Sequence, residues 1–172
     1  MATPAIRRLD AVDAADYRTI RLDALKRNPE AFGSTYEIEQ ARPIADFEQR
    51  LIDTIVFGAY VAGNIVGMAG LRRQTGQKDA HKGYVWGFYV QSDYRGAGVG
   101  SALLHNLIQV AQTRVEQLTL SIVKGNDPAA ALYQKFGFQP YGVEPRALKT
   151  PDGYEDEIHM IKFLNNANQH TG

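Results

Sequence analysis

Three glycines at alternate positions follow an arginine and precede a serine in the segment Arg95-Gly96-Ala97-Gly98-Val99-Gly100-Ser101. Residues of these types at this spacing suit an anion. Glycines leave backbone N–H groups uncovered, and the apolar run that starts at Val99 predicts a helix there. The unpaired amides of a helix start then coincide with the positive end of its dipole, which favours a phosphate or pyrophosphate. Arg95 adds a charge-assisted donor to the same anion and Ser101 a hydroxyl. A tight strand-to-helix turn would need one glycine, not three alternating ones behind an arginine.

Two common phosphate sites do not fit these residues. The phosphate loop of nucleoside triphosphatases requires Gly-Lys-Ser/Thr, and no lysine follows these glycines. The dinucleotide fingerprint Gly-x-Gly-x-x-Gly would need glycine at position 101, where Ser101 stands. It would also need an early βαβ unit, whereas this turn lies past mid-chain.

The elements that must position the turn are legible from periodicity. Ala5–Leu9 alternates loosely, as a strand would. Asp13 offers an N-cap to a helix with the face Tyr17, Ile20, Leu22 and Leu25, which Asn28-Pro29 stops. A second helical stretch follows Pro43, with Phe47, Leu51 and Ile52 apolar. The β-rich runs Ile55–Ala62 and Ile65–Leu71 flank Gly63-Asn64, a hairpin signal, and Gly76–Asp79 is a polar loop. Tyr84–Val90 reads as a buried strand. The helix from Val99 carries the stripe Leu103, Leu104, Leu107, Ile108 and Ala111. Leu118–Val123 is a further strand. Asp127-Pro128 opens a helix, with Asp127 as its cap, that ends at Gly137. Phe138–Val143 and Glu157–Phe163 are closing strands around a polar loop with Pro145, Pro151 and Gly153. The order implies a mixed α/β layer with an antiparallel meander and a late βαβ unit.

Bulk composition removes other classes. The 172 residues support one well-buried core, read as a domain over residues 4–164 with a polar tail over 165–172. With a formal net charge of zero, nothing global argues for nucleic acid or a membrane surface as partner. The absence of cysteine excludes disulfides, a thiolate nucleophile and thiolate-bound zinc, and no metal is expected. No segment reaches ~18 apolar residues, so a cytoplasmic location is expected.

Residues Tyr94 to Leu104 resemble the Arg/Gln-x-x-Gly-x-Gly/Ala motif of the GNAT N-acetyltransferase superfamily. Gly87-Phe88-Tyr89-Val90 looks like that family's central strand. Asn126, Leu132-Tyr133 and Phe136-Gly137-Phe138 resemble its next block. The resemblance covers roughly residues 4 to 164 and implies a six- to seven-stranded mixed sheet whose central strands splay. It implies acetyl-CoA as co-substrate and transfer of the acetyl group to a primary amine of a small molecule or peptide. By the same resemblance the backbone of Phe88 and Val90 pairs with pantetheine, and the segment Arg95, Gly96, Ala97, Gly98, Val99, Gly100 and Ser101 holds the pyrophosphate. Asn126 binds pantetheine beside the reaction, and Tyr133 is the general acid toward the CoA sulfur. Related proteins are often homodimers.

One departure matters. Many relatives carry a glutamate on the central strand as the base, and Tyr84–Val90 has none. The base is left to a water chain, His81, Glu37 or Asp156. Acceptor choice is expected from Phe32–Glu39 and Glu144–Glu157, where Phe32, Tyr36, Glu37, Tyr154, Glu155, Asp156 and Glu157 would form an acidic, aromatic mouth for an amine. The alternative from the same residues is an acyl-CoA-binding or sensor module without catalysis.

Overall fold

Apolar β-branched runs, separated by turn residues, build the sheet that carries the turn. The computed structural model describes residues 3–164. In chain order the elements are β1 (Ala5–Arg8), α1 (Ala14–Arg27), α2 (Tyr36–Gln40), α3 (Ile44–Asp53), β2 (Ile55–Val61), β3 (Asn64–Arg73), β4 (Lys82–Val90), α4 (Val99–Ala111), β5 (Gln117–Val123), α5 (Asp127–Lys135), β6 (Gln139–Thr150) and β7 (Gly153–Phe163). The seven strands form one mixed sheet in the order β1-β2-β3-β4-β5-β7-β6, in which β4 and β5 are parallel. Among the described residues no helix is long and apolar enough to cross a membrane. The tail expected over 165–172 lies outside the described residues. The chain divides into two compact units.

The first unit comprises the residues up to Leu71 together with Trp86–Leu107. Asp13 does not cap α1 as expected. Its carboxylate turns back to accept from the Asp10 N–H and from Arg7, and the chain enters α1 through a 3-10 turn over Ala11–Asp13 that Asp10 caps. Tyr17, Ile20 and Leu25 are buried in α1 as expected, but Arg21 rather than Leu22 completes the buried face. A guanidinium is tolerated there because Glu39 accepts from its Nε and Nη2 at 3.1 and 3.0 Å. Arg50 of α3 donates to the same carboxylate at 3.2 Å. This network ties α1 to α2 and α3. In α3 the apolar face is Phe47 and Leu51, while Ile52 is exposed. The β2–β3 turn is Ala62-Gly63 rather than Gly63-Asn64, because Val61 pairs with Asn64. Both turn residues have positive φ, 49° and 82°, as a two-residue turn of this hand requires. At Gly70 an added Cβ would stand 2.5 Å from the Trp86 ring, so only glycine admits that indole.

The second unit comprises Arg72–Val85 and the residues from Ile108 on. In β5, Leu118, Leu120 and Ile122 are buried on one face and Thr119, Ser121 and Val123 lie on the other. Fully burying side chains of this size stabilises by roughly 1.5–3 kcal/mol each. The segment Glu144–Glu157, expected as a loop, is mostly strand: β6 and β7 form a long hairpin around Pro151-Asp152. Its irregular part is a register shift between Glu144 and Leu148. Proline, which has no N–H for a ladder, sits there as Pro145, and Arg146 has φ 52°. Helix α5 is capped by Asn126, not Asp127: the Asn126 Oδ1 accepts from the Ala129 N–H at 3.3 Å. Gly137, at φ 90°, ends it as expected.

Replacing Glu39 by Gln strips both arginines of their buried anion and is expected to lower the unfolding free energy by about 3 kcal/mol in urea denaturation. Burial alone would raise the Glu39 carboxyl, but Arg21 and Arg50 hold it below its ordinary 4.5. The stabilisation is therefore fully present above pH 4.5 and is lost as pH falls below it, so wild type and variant should converge in acid.

Candidate active site

The anion-binding geometry expected of the turn rests on its backbone. Gly96 and Gly98 have φ of 77° and 83°, the left-handed region that side chains disfavour. Nothing lies within 4 Å of a Cβ added at either, so the space above them is open. Ala97 is exposed, Gly100 and Ser101 are half-buried, and Val99 is buried as the first residue of α4. Leu103, Leu104 and Leu107 are fully buried and fix the helix behind the turn. A helix anchored from behind, with its first amides at an open glycine surface, suits an anion.

Arg95 does more than offer charge. Its Nε donates to the Val90 carbonyl at 2.9 Å and its Nη2 to Asn28 Oδ1 at 3.0 Å. The guanidinium also lies 5.8 Å from the Tyr89 ring centre. The side chain thereby ties the start of the turn to the end of β4 and to the residue that stops α1. Tyr89 is held in the same network: its hydroxyl donates to Asp23 at 2.8 Å, and burial together with Asp23 pushes it up to about 12. Phe88 is half-buried and Val90 buried. Gly87, at φ 61°, interrupts the regular strand just before Phe88.

In the second unit, Tyr133 is 5% exposed and packs edge-on against Phe138, with ring centres 5.6 Å apart. Burial, and secondarily the Tyr84 phenol, push its hydroxyl above the ordinary tyrosine value. It therefore keeps its proton throughout the neutral range, as a donor must. Asn126 and Tyr133 share α5, as its cap and its seventh residue.

The carboxylates considered from sequence have other surroundings. Glu37 is exposed, and Asp156 accepts from the Arg146 N–H at 2.8 Å. His81 is half-buried, and its carbonyl accepts from Glu116. The expected acidic mouth also carries cations, since Arg146 and Lys149 lie 5.0 and 5.9 Å from the Tyr154 ring centre. Sequence reasoning missed His159. Ser121 Oγ stands 2.7 Å from its Nδ1 and Glu144 Oε2 stands 3.4 Å from its Nε2. The Tyr141 ring stacks on the imidazole at 5.9 Å. Alternation along β7 is enough to put Glu157 and His159 on one face, but only pairing with β5 and β6 supplies Ser121 and Glu144. Among the described residues no group of three or more His, Cys, Asp or Glu is placed to hold a metal.

Residues 20–138 match the model of the acetyltransferase (GNAT) family, a span that holds both the glycine turn and Tyr133. The chain belongs to this family. The L-amino acid N-acetyltransferase AaaT of Escherichia coli (strain K12) is 26% identical over 155 residues, covering 87% of this chain and 93% of that protein. A GNAT-family acetyltransferase of Streptococcus pneumoniae superposes with a TM-score of 0.84 at 23% identity, covering 95% of this chain and 100% of that one. The structure of yncA from Salmonella typhimurium with its cofactor acetyl-CoA gives 0.82 at 21% identity, covering 99% and 98%. The mixed sheet of six to seven strands that the resemblance implied is observed with seven.

The strain at the turn is testable. Gly98→Ala meets no neighbour but must adopt positive φ, and is expected to destabilise the fold by about 1–2 kcal/mol in chemical denaturation. A variant as stable as wild type would show that the turn relaxes out of the left-handed region.

Proposed function

We propose that the protein transfers the acetyl group of acetyl-CoA to a primary amine by direct attack in a ternary complex. The observation that carries this reading is the family match over residues 20–138, which includes the glycine turn and Tyr133 together. The acetyl-CoA of the Salmonella relative supports the choice of co-substrate. Acetyl-CoA supplies an acetyl group activated as a thioester.

The cradle fits an anionic, chain-like ligand on its own geometry. Amides of Gly96, Ala97, Gly98, Val99, Gly100 and Ser101 hold the pyrophosphate at the start of α4, where Cβ atoms at 96 and 98 would intrude on otherwise open space. Arg95 acts chiefly by holding the turn. Backbone groups of Phe88 and Val90 pair with the pantetheine amides as a strand would. The Val90 carbonyl already accepts from Arg95, so its second lone pair serves this contact. Asn126 keeps its Oδ1 on the α5 amide and offers its NH2 group to pantetheine. Tyr133 gives its proton to the departing sulfur, a role suited to a phenol that burial keeps neutral.

The acceptor class follows from the amine chemistry, and the Escherichia coli relative's name makes free L-amino acids the first to try. A thermal-shift series should give a clear rise in melting temperature with acetyl-CoA and little with ATP or NAD; the reverse order would sink the reading. Thiol release should then appear with at least one of L-methionine, spermidine or a peptide with a free N-terminal alanine. Binding of acetyl-CoA without release from any amine would favour the non-catalytic alternative. Tyr133→Phe is expected to lower turnover about 10²-fold while leaving the acetyl-CoA thermal shift nearly intact. An unchanged rate would remove Tyr133 from the chemistry.

A further inference from the structure

Acyl transfer needs a base, because an ammonium has no lone pair to attack with until a proton leaves. Strand β4 carries no carboxylate to take it. The second unit holds a different set of groups. Ser121 on β5 pairs in register with His159 on β7, and Glu144 on β6 lies opposite Glu157, two residues along β7 from His159. The Ser121 Oγ stands 2.7 Å from Nδ1, Glu144 Oε2 stands 3.4 Å from Nε2, and the Tyr141 ring covers the imidazole.

These contacts select a tautomer. A lone pair on Nε2 would face the Glu144 carboxylate, so the neutral ring carries its proton on Nε2 and its lone pair on Nδ1. The Ser121 hydroxyl then donates to Nδ1. Two carboxylates face each other across a strand pair, a placement that is unfavourable without a cation between them. Burial, and then Glu144, raise the Glu157 carboxyl, while His159 acts the other way. An imidazolium at position 159 would meet both acids and relieve the repulsion.

The same face of the unit carries Tyr84. Its register partner is Thr119, and Ser121 lies two residues further along that face of β5. The Tyr84 phenol in turn acts on Tyr133, the proposed acid.

We propose that the Ser121–His159 pair is the base of the reaction, with Glu144 and Glu157 as positioning residues that stabilise the imidazolium. The inference rests on the acyl-transfer reading above. The acceptor ammonium gives one proton through the Ser121 hydroxyl to Nδ1, and the free amine then forms its bond to the acetyl carbon as the carbon–sulfur bond breaks. A second proton leaves the nitrogen as the amide forms. One of the two is released to solvent by His159, and the other ends on the Tyr133 phenolate, restoring the proton that Tyr133 gave to sulfur. The ammonium thus becomes a neutral amide, with a thiol and one proton released.

The test is thiol release from acetyl-CoA across pH 6 to 10, with the fastest acceptor among L-methionine, spermidine and the alanine peptide. His159→Gln is expected to lower kcat/KM about 10²-fold near pH 7. The loss should shrink as pH approaches the acceptor's own pKa, where solution supplies free amine. Glu144→Gln should move the acid limb of the wild-type profile to lower pH, which a purely structural role would not do. The thermal shift with acetyl-CoA should persist in both variants. If His159→Gln does not fold, Ser121→Ala carries the test, with a smaller loss in the same direction. Wild-type rates and an unshifted profile in the folded variants would overturn the assignment. No release by the wild-type protein with any of the three amines would instead overturn the acyl-transfer reading, and the assignment with it.

Discussion

Between the end of β4 at Val90 and the start of α4 at Val99, the chain must turn from an extended strand directly into a helix whose first amides stay uncovered. Two left-handed glycines make the turn and the Arg95 guanidinium holds it, by bonds to the Val90 carbonyl and to Asn28. The buried leucines of α4 hold it from the other side. Remove any of these and the helix start loses either its direction or its open surface. That constraint explains why Arg95 gives an Nε and an Nη2 donor to protein groups, leaving its other N–H groups uncommitted by these two bonds. A cradle made of backbone has no side chains to brace it, so a neighbouring side chain must do so.

Charge is placed by the same logic elsewhere. In the first unit a buried carboxylate, Glu39, binds two arginines and joins three helices, and its charge is tolerated because each partner satisfies the other. In the second unit Tyr133 is buried, which pushes its hydroxyl above the ordinary tyrosine value and keeps the proton on it. His159 stands between these extremes, half-exposed, with a hydroxyl on one ring nitrogen and a carboxylate near the other. The three environments are a carboxylate held by two guanidiniums, a phenol enclosed by packing, and an imidazole between a hydroxyl and a carboxylate.

Residues that act through their neighbours in the chain are legible from local spacing. The glycine turn, the α4 stripe, the stop at Asn28-Pro29 and the α5 end at Gly137 follow from local conformational preferences, and the fold has them where periodicity put them. Local signals misled where two nearby residues could play one part. Asp13 stands at the start of α1 but its carboxylate bonds back to Asp10 and Arg7, and Asn126 rather than Asp127 caps α5, so hydrogen-bond geometry decided each case. Pro145, Pro151 and Gly153 read as a loop because such residues break strands, yet a long hairpin absorbs one in a bulge and two around its tip.

By itself the sequence determined the class of fold, the family motif, the glycine turn before α4 and the tyrosine two turns into α5. Each depends on residues close together in the chain, where spacing alone sets geometry. Tertiary structure decided that Arg95 is a brace, that Arg21 is buried against Glu39, and that Ser121, Glu144 and His159 meet. Arg21 and Glu39 are 18 positions apart, Ser121 and His159 are 38 apart, and Arg95 and Asn28 are 67 apart. Strand register and helix packing bring such partners together, and no local pattern along the chain encodes their meeting.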